Sequence, residues 1–426
     1  MAEISPFRGI RYNQEIITDM ATVICPPYDV ISPEEQKDYY EKSDYNVVRL
    51  EHGMESPEDA EINNKHSRAR DIFNEWLKDG IFQTDAVPAF YIHEHTFSYQ
   101  DIRKRRLELI AVVRLEPWEN KVVLPHENTS SGAKSDRLEL MRACTANFSP
   151  LLCLYDDPGQ RVTKLLTVQT KRNPLIHFTD NGDIHKLWMS NEPEFIQRIS
   201  HFLAPKSLYI ADGHHRYETA LAYQAEKQKS TQSTSSDAAF NFIMMTLVSF
   251  SDPGLIVAPL HRMVRNIPSQ ALTEFKNQLE TFFRIESFPV NENGLSDVTG
   301  ATIKVLGLEP GNITGLRLRQ SVSLKEVIPE GHSQTYRRLD VSILQHIIMD
   351  NLLATSENDI AYTSDIKQAQ LKIENGEYQM AFLLNPLPVT TIKSIADAND
   401  RMPRKSTYFY PKLPTGLIIN RLEGMI

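Results

Sequence analysis

The sequence predicts a mixed α+β fold, on three observations. Apolar runs of strand length recur along the chain, stretches of helical period separate them, and a charged connection joins two of the runs as a hairpin. The longest apolar runs, 109–113 and 242–248, have strand length and fall far short of the roughly eighteen residues of a membrane span.

The elements follow in chain order. Cys25-Pro-Pro-Tyr-Asp-Val-Ile-Ser-Pro holds three prolines and reads as a rigid, extended loop. Ala69, Ile72, Phe73, Trp76 and Leu77 repeat at helical spacing, which predicts a helix over 66–78 with Gly80 as its stop. Residues 89–97 and 107–115 read as strands joined through the charged stretch 99–106. Helices are expected over 135–143, with Asp136 near its start, and over 193–203 and 217–227. Strands are expected over 151–155, 208–211 and 240–250. The low-complexity stretch 228–237 reads as a solvated loop. Beyond about residue 260, short strands and helices alternate over 302–306, 316–319, 341–353, 365–375, 379–384 and 389–398, and no solenoid repeat occurs. The expected organisation is an N-terminal part (1–85) packing on a core (86–260), followed by a C-terminal α/β region (261–426).

The 426 residues carry 46 Lys and Arg against 55 Asp and Glu, a net charge of −9, with 41% hydrophobic residues. That balance and a pI of about 5.8 disfavour a nucleic-acid partner but leave room for a local basic pocket. Three cysteines without C-x-x-C spacing make no disulfide framework, and no signal peptide or membrane span is readable. The expectation is a cytoplasmic protein acting on a small molecule, with a homo-oligomer left open.

Asp212-Gly213-His214-His215-Arg216 is the most informative segment. An apolar strand leads into a turn and a helix follows at once, so the first N–H groups of the helix face the turn and suit an anion such as phosphate. Gly213 permits positive φ or close approach, Arg216 offers a planar fork of donors, and His214 and His215 add two more side chains. Asp212 would repel phosphate unless it holds Mg²⁺, a substrate amine or the neighbouring Arg. A plainer account makes Asp212 a helix cap and the histidines packing groups. A second candidate is Pro125-His126-Glu127-Asn128-Thr129, where Glu127 could accept a proton from a substrate hydroxyl if folding brings it beside the first turn; taken alone, an exposed loop glutamate is the better account. A third is the run from Arg404 to Lys412, where Lys405-Ser406 lacks the upstream glycines of a P-loop and a surface basic turn is the plain account.

Pro26-Pro-Tyr-Asp-Val-Ile, Pro125-His-Glu-Asn-Thr, Ala146-Asn-Phe-Ser-Pro, Tyr209-Ile-Ala-Asp-Gly-His-His-Arg-Tyr-Glu-Thr-Ala, Asp252-Pro-Gly-Leu, Leu384-Asn-Pro and Met402-Pro-Arg-Lys-Ser-Thr-Tyr-Phe-Tyr-Pro-Lys resemble, in order and over nearly the whole chain, the prokaryotic domain-of-unknown-function family 1015. Asp212-Gly-His-His-Arg-Tyr and Pro125-His-Glu also look like the signatures of free L-serine kinases in the ParB/sulfiredoxin-like superfamily. This second resemblance implies a ParB/sulfiredoxin-like core with additional N- and C-terminal α/β parts. It further implies phosphoryl transfer between a nucleotide, ATP or ADP, and the hydroxyl of L-serine, in either direction. Glu127 would be the base; Asp212, His214 and Arg216 would share the catalytic site, with Asp212 on Mg²⁺. Gly213, His214, His215, Arg216, Lys405 and Ser406 would hold the nucleotide phosphates, and His126 and Thr129 the substrate. A ParB-like nucleotide switch and a metal-dependent phosphoesterase are the competing expectations.

Overall fold

A computed structural model describes residues 1–129, 131–230, 235–289 and 302–426, so the expected loop at 228–237 lies partly outside the described residues. The chain divides into two units, one of Met1–Pro125, Thr129–Ile256 and Pro411–Ile426, the other of His126–Asn128 and Val257–Tyr410.

In the first unit the strands are β1 (Ile4–Ser5), β2 (Phe90–Tyr99), β3 (Ile102–Arg114), β4 (Val123–Leu124), β5 (Leu151–Tyr155), β6 (Ile176–Asp180), β7 (Asp183–Ser190), β8 (Leu208–Asp212) and β9 (Phe242–Ser249). Among the described residues they form one sheet in the order β4-β8-β5-β9-β3-β2-β7-β6, with β1 on β3. Only the β4–β8 and β5–β9 pairs are parallel. The expected hairpin is present but tighter than its charge pattern suggested. Gln100 and Asp101 alone make the turn, both at positive φ, so residues 103–106 extend the strand instead of looping out. Two consecutive left-handed residues match the twist of paired strands, and the alternating pattern lets charged side chains point away from the apolar ones.

Alternation also sends side chains into two cores. Tyr91, Ile110, Val112 and Met244 face one cluster, which takes in Tyr12, Phe73, Trp76 and Phe82 from the first 85 residues. Ile92, Leu109, Ala111, Ile243 and Met245 face the other, together with Phe195, Ile199, Tyr217 and Tyr223. The helices involved are α1 (Lys65–Lys78), α2 (Ser131–Cys144), α3 (Pro193–Leu203) and α4 (His214–Ser230). The α1 helix is closed at its start by an Asn64/Ser67 capping box. Among the described residues no helix is long and apolar enough to cross a membrane.

The second unit is built on an antiparallel sheet of β10 (His261–Val264), β11 (Phe283–Pro289), β12 (Ile303–Leu306), β13 (Asn312–Leu318), β14 (Ile360–Thr363) and β15 (Met380–Leu383), in the order β11-β13-β12-β15-β10-β14. The strand expected at 316–319 starts earlier, at Asn312, because it pairs along its whole length with β11. The helix expected over 341–353 runs from Asp340 and is π-wound over Leu344–Leu352.

Phe73 is 1% exposed and meets Phe82 and Phe148 edge to face at 5.9 and 5.2 Å. Phe73→Ala is expected to cost about 3–5 kcal/mol, read from urea denaturation; a loss below about 1 kcal/mol would mean that this core yields freely. In the second unit His261 is buried, its Nδ1 accepts the Leu384 N–H at 3.1 Å, and burial pushes its pKa down to about 4. The native state therefore binds fewer protons than the unfolded chain below pH 6.5, so stability falls as pH falls from there towards 4. The slope from this residue is at most about 1.4 kcal/mol per pH unit, and His261→Gln should remove it from a pH series of denaturation curves.

Candidate functional site

The strand β8 brings four buried residues, Leu208 to Ala211, up to Asp212, where its pairing with β5 shifts register. Gly213 follows with φ +97°, and a Cβ there would lie 3.0 Å from both Arg216 Nε and Leu151 Cγ, so conformation and space alike call for glycine. The α4 helix then starts at His214, three residues before the expected start at 217. The apolar period begins only with Tyr217, but the Gly213 carbonyl accepts the Tyr217 N–H at 3.0 Å and closes the first turn around the polar residues.

Asp212 lies at the centre of this turn. Its Oδ2 accepts from Arg216 Nη2 at 2.6 Å, and its Oδ1 accepts from the Lys412 ammonium. Arg216 is 8% exposed, and its Nη1 donates to the Pro150 carbonyl at 2.6 Å. Burial alone would lower the Arg216 pKa; Asp212, Asp29 and Glu51 outweigh it and raise it. Two expectations change. The Arg216 fork is not held out towards a ligand but fastens the turn to Asp212 and Pro150, and Asp212 does not fit a magnesium ion, since both of its oxygens already carry cationic donors. The Asp212 carboxylate is a counter-charge.

Arg216 also lines a small recess with Glu51, Arg137, Ser149, Leu151 and Thr219. Glu51 is 3% exposed, its Oε1 accepts from Ser149 Oγ at 2.8 Å, and burial raises its pKa. Arg137 donates to the Glu51 carbonyl at 2.6 Å and stacks at 4.0 Å over Tyr28 of the proline-rich segment. The recess thus holds one buried carboxylate and two guanidinium groups. None of Tyr28, Glu51, Arg137 and Ser149 was singled out from the sequence. The Pro26-Pro-Tyr-Asp segment was the available signal, because a rigid loop among polar neighbours positions side chains well.

The other expected residues are placed as follows. Thr129 donates to Glu218 Oε2 at 2.6 Å, which ties it to α4. In the second unit, Glu127 accepts the Lys405 N–H at Oε1 (2.5 Å) and the Thr407 hydroxyl at Oε2 (3.3 Å), and its side chain is 14% exposed. Lys405 has φ +57°, which turns its N–H onto the carboxylate. Two expectations are corrected here. His126 is fully buried with Nε2 2.9 Å from Thr407 Oγ1, so its ring positions Thr407 and is not open to a substrate. Ser406 is 5% exposed and its hydroxyl donates to the Pro403 carbonyl at 2.5 Å, which commits it to the turn instead of to phosphate. Sequence reasoning also passed over Arg262, which is fully buried in this unit with Nε and Nη2 lacking hydrogen bonds; the strand His261–Val264 carries too few apolar residues to have flagged it.

The chain belongs to the family described as "Protein of unknown function (DUF1015)", which matches residues 4–342. No curated protein matches it. Among solved structures it is similar to a conserved hypothetical protein from Pyrococcus furiosus, at 12% identity over 74% of this chain and 97% of that one, with a TM-score of 0.37. It is also similar to a free serine kinase variant in complex with AMP (11% identity, 70% and 87% covered, TM-score 0.36) and to C-terminally truncated SbnI from Staphylococcus aureus (9% identity, 74% and 87% covered, TM-score 0.35). At these scores the chemistry is argued from the residues alone.

Asp212→Asn leaves a buried guanidinium without its counter-charge and is expected to destabilise the protein by about 3–5 kcal/mol in chemical denaturation. Adding Arg216→Met should restore much of that loss. A single variant as stable as the parent would show that Asp212 does not balance Arg216.

Proposed function

We propose that this protein is a phosphotransferase that moves a phosphoryl group between a nucleotide, ATP or ADP, and the hydroxyl of a small amino acid, L-serine first among them. The supporting observation is that Arg216 belongs to both halves of one constellation in the first unit. It closes the glycine turn at the start of α4, and it lines the recess with Glu51, Arg137 and Ser149. A helix N-terminus entered through glycine suits phosphate oxygens, with His214 and His215 in the same first turn. In the recess the Glu51 carboxylate and the Arg137 guanidinium form the charge pattern that complements the ammonium and carboxylate of an amino-acid zwitterion, while Arg216 is committed to the turn. Lys405 is a further candidate for phosphate.

Phosphoryl transfer depends on positioning and on stabilising developing charge, and needs no covalent nucleophile. Glu127 is assigned the proton of the attacking hydroxyl, because its carboxylate is pre-oriented by the Lys405 N–H and the Thr407 hydroxyl. The reverse reaction, from O-phosphoserine to a nucleoside diphosphate, uses the same groups. No step is assigned to a protein-held magnesium ion.

The test is to incubate the full chain with L-serine and ATP, ADP or CTP in turn, with and without Mg²⁺, and to look for O-phosphoserine by mass spectrometry. Product is expected with at least one nucleotide, and Glu127→Gln should slow its formation by about 10²–10⁴-fold. Phosphate release without an acceptor would favour a phosphoesterase, and tight, salt-sensitive DNA binding a nucleotide-gated switch. Absence of product with every nucleotide, or full activity in Glu127→Gln, would overturn the proposal.

A further inference from the structure

On the face of the first unit's sheet that carries Tyr91 and Ile110, a row of polar side chains continues where apolar ones would be expected. His93 and His95 are two residues apart on β2 and so share that face. The register places Glu108 of β3 beside His93, and His185 of β7 beside His95. Asp183, two residues before His185, falls on the same face of β7. His95 and His185 are 2% and 5% exposed, whereas the Asp183 side chain is 27% exposed and opens the group to water.

We infer that His95, Asp183 and His185 form a binding site for one divalent late first-row transition ion, zinc in the first instance. Each offers one ligand atom, and these atoms lie within 4.8 Å of one another. Movement of about an ångström brings them to the roughly 3.3 Å spacing of donors around tetrahedral zinc. Two imidazoles and one carboxylate form a donor set that suits zinc and disfavours magnesium or calcium, and the fourth position goes to water.

The surrounding hydrogen bonds prepare the ligands. Arg106 Nε donates to Glu108 Oε1 at 2.5 Å, and His93 Nδ1 donates to Glu108 Oε2 at 2.7 Å. With His93 neutral, its Nε2 is then a lone pair, and the 3.1 Å contact with His185 Nδ1 requires His185 to be the donor. That leaves the lone pair of His185 on Nε2, the atom not engaged with His93. A carboxylate–imidazole chain behind a ligating histidine is how metal sites fix tautomer and ring orientation. Phe178 stacks on the His185 ring at 4.7 Å and holds its plane. Nδ1 of His95, by contrast, is buried with no hydrogen-bond partner, so the group is incompletely satisfied by the protein's own atoms. The inference is independent of the phosphotransfer proposal, whose residues lie elsewhere in the sequence.

The test uses the full chain, stripped with chelator, equilibrated with Zn²⁺ and freed of excess metal by gel filtration. The expected result is one zinc per chain by elemental analysis, and with Co²⁺ the visible absorption bands of a four- or five-coordinate site. Asp183→Asn alters the most exposed ligand and keeps an oxygen able to accept from His95 Nε2, which lies 2.9 Å from Asp183 Oδ2, so its metal-free melting curve should match the parent, while its zinc affinity falls at least about tenfold. His185→Gln, checked for folding in the same way, should behave likewise. A parent protein that retains no stoichiometric zinc overturns the inference. So does zinc retained equally by both variants, which would place the ion at other residues.

Discussion

A guanidinium taken out of water needs its counter-charge nearby, and Arg216 finds it four residues back in the chain, across a glycine turn. The ion pair with Asp212 fastens the last residue of β8 to the first turn of α4, while the bond from Arg216 to the Pro150 carbonyl ties that turn to the start of β5. Lys412 reaches the other oxygen of Asp212 and holds the C-terminal return of the first unit to the same carboxylate. Gly213 at φ +97° is what allows strand and helix to meet closely enough for the pair to form. Removing one partner of such a pair costs far more than the pair contributes, because the remaining charge stays buried.

That arrangement also sets the chemistry available. The charges at Asp212 are compensated internally, so the proposed chemistry turns on the helix N-terminus and on the recess that Arg216 shares with Glu51 and Arg137. The histidine row on β2 and β7 is a separate departure from the apolar pattern. Strand alternation puts His93 and His95 where the same face carries Tyr91, and such breaks in an otherwise consistent pattern are where function is expected.

Much of the fold was legible because it follows from local rules. The helix expected over 193–203 is Pro193–Leu203, and the strand expected over 151–155 is Leu151–Tyr155, each bounded by its own apolar period. The hairpin turn was not legible: Gln100 and Asp101 adopt positive φ because strand twist selects it, and composition suggested a longer charged loop. The start of α4 was displaced for a related reason. His214, His215 and Arg216 have no apolar period, and the helix includes them because the Gly213 carbonyl and the buried ion pair close its first turn. The grouping of Asp212 to Arg216 around one turn was legible because a short motif holds those residues together. Contacts between residues far apart in sequence were not legible, as with Tyr28 and Arg137 or His95 and His185.

The sequence by itself determined the mixed α+β class, the family, the alternation that divides the sheet's side chains between two cores, and the glycine turn between an apolar strand and a helix. These depend on residues within a few positions of one another. Tertiary structure alone decided which donors face which acceptors: that Arg216 and Lys412 occupy the two oxygens of Asp212, that His126 is buried against Thr407, and that Glu51 lies among arginines. The reason is physical. A side chain's charge state and hydrogen-bonding capacity belong to its type, but what they are spent on depends on partners tens to hundreds of residues away, brought within about 3 Å only by strand register and packing.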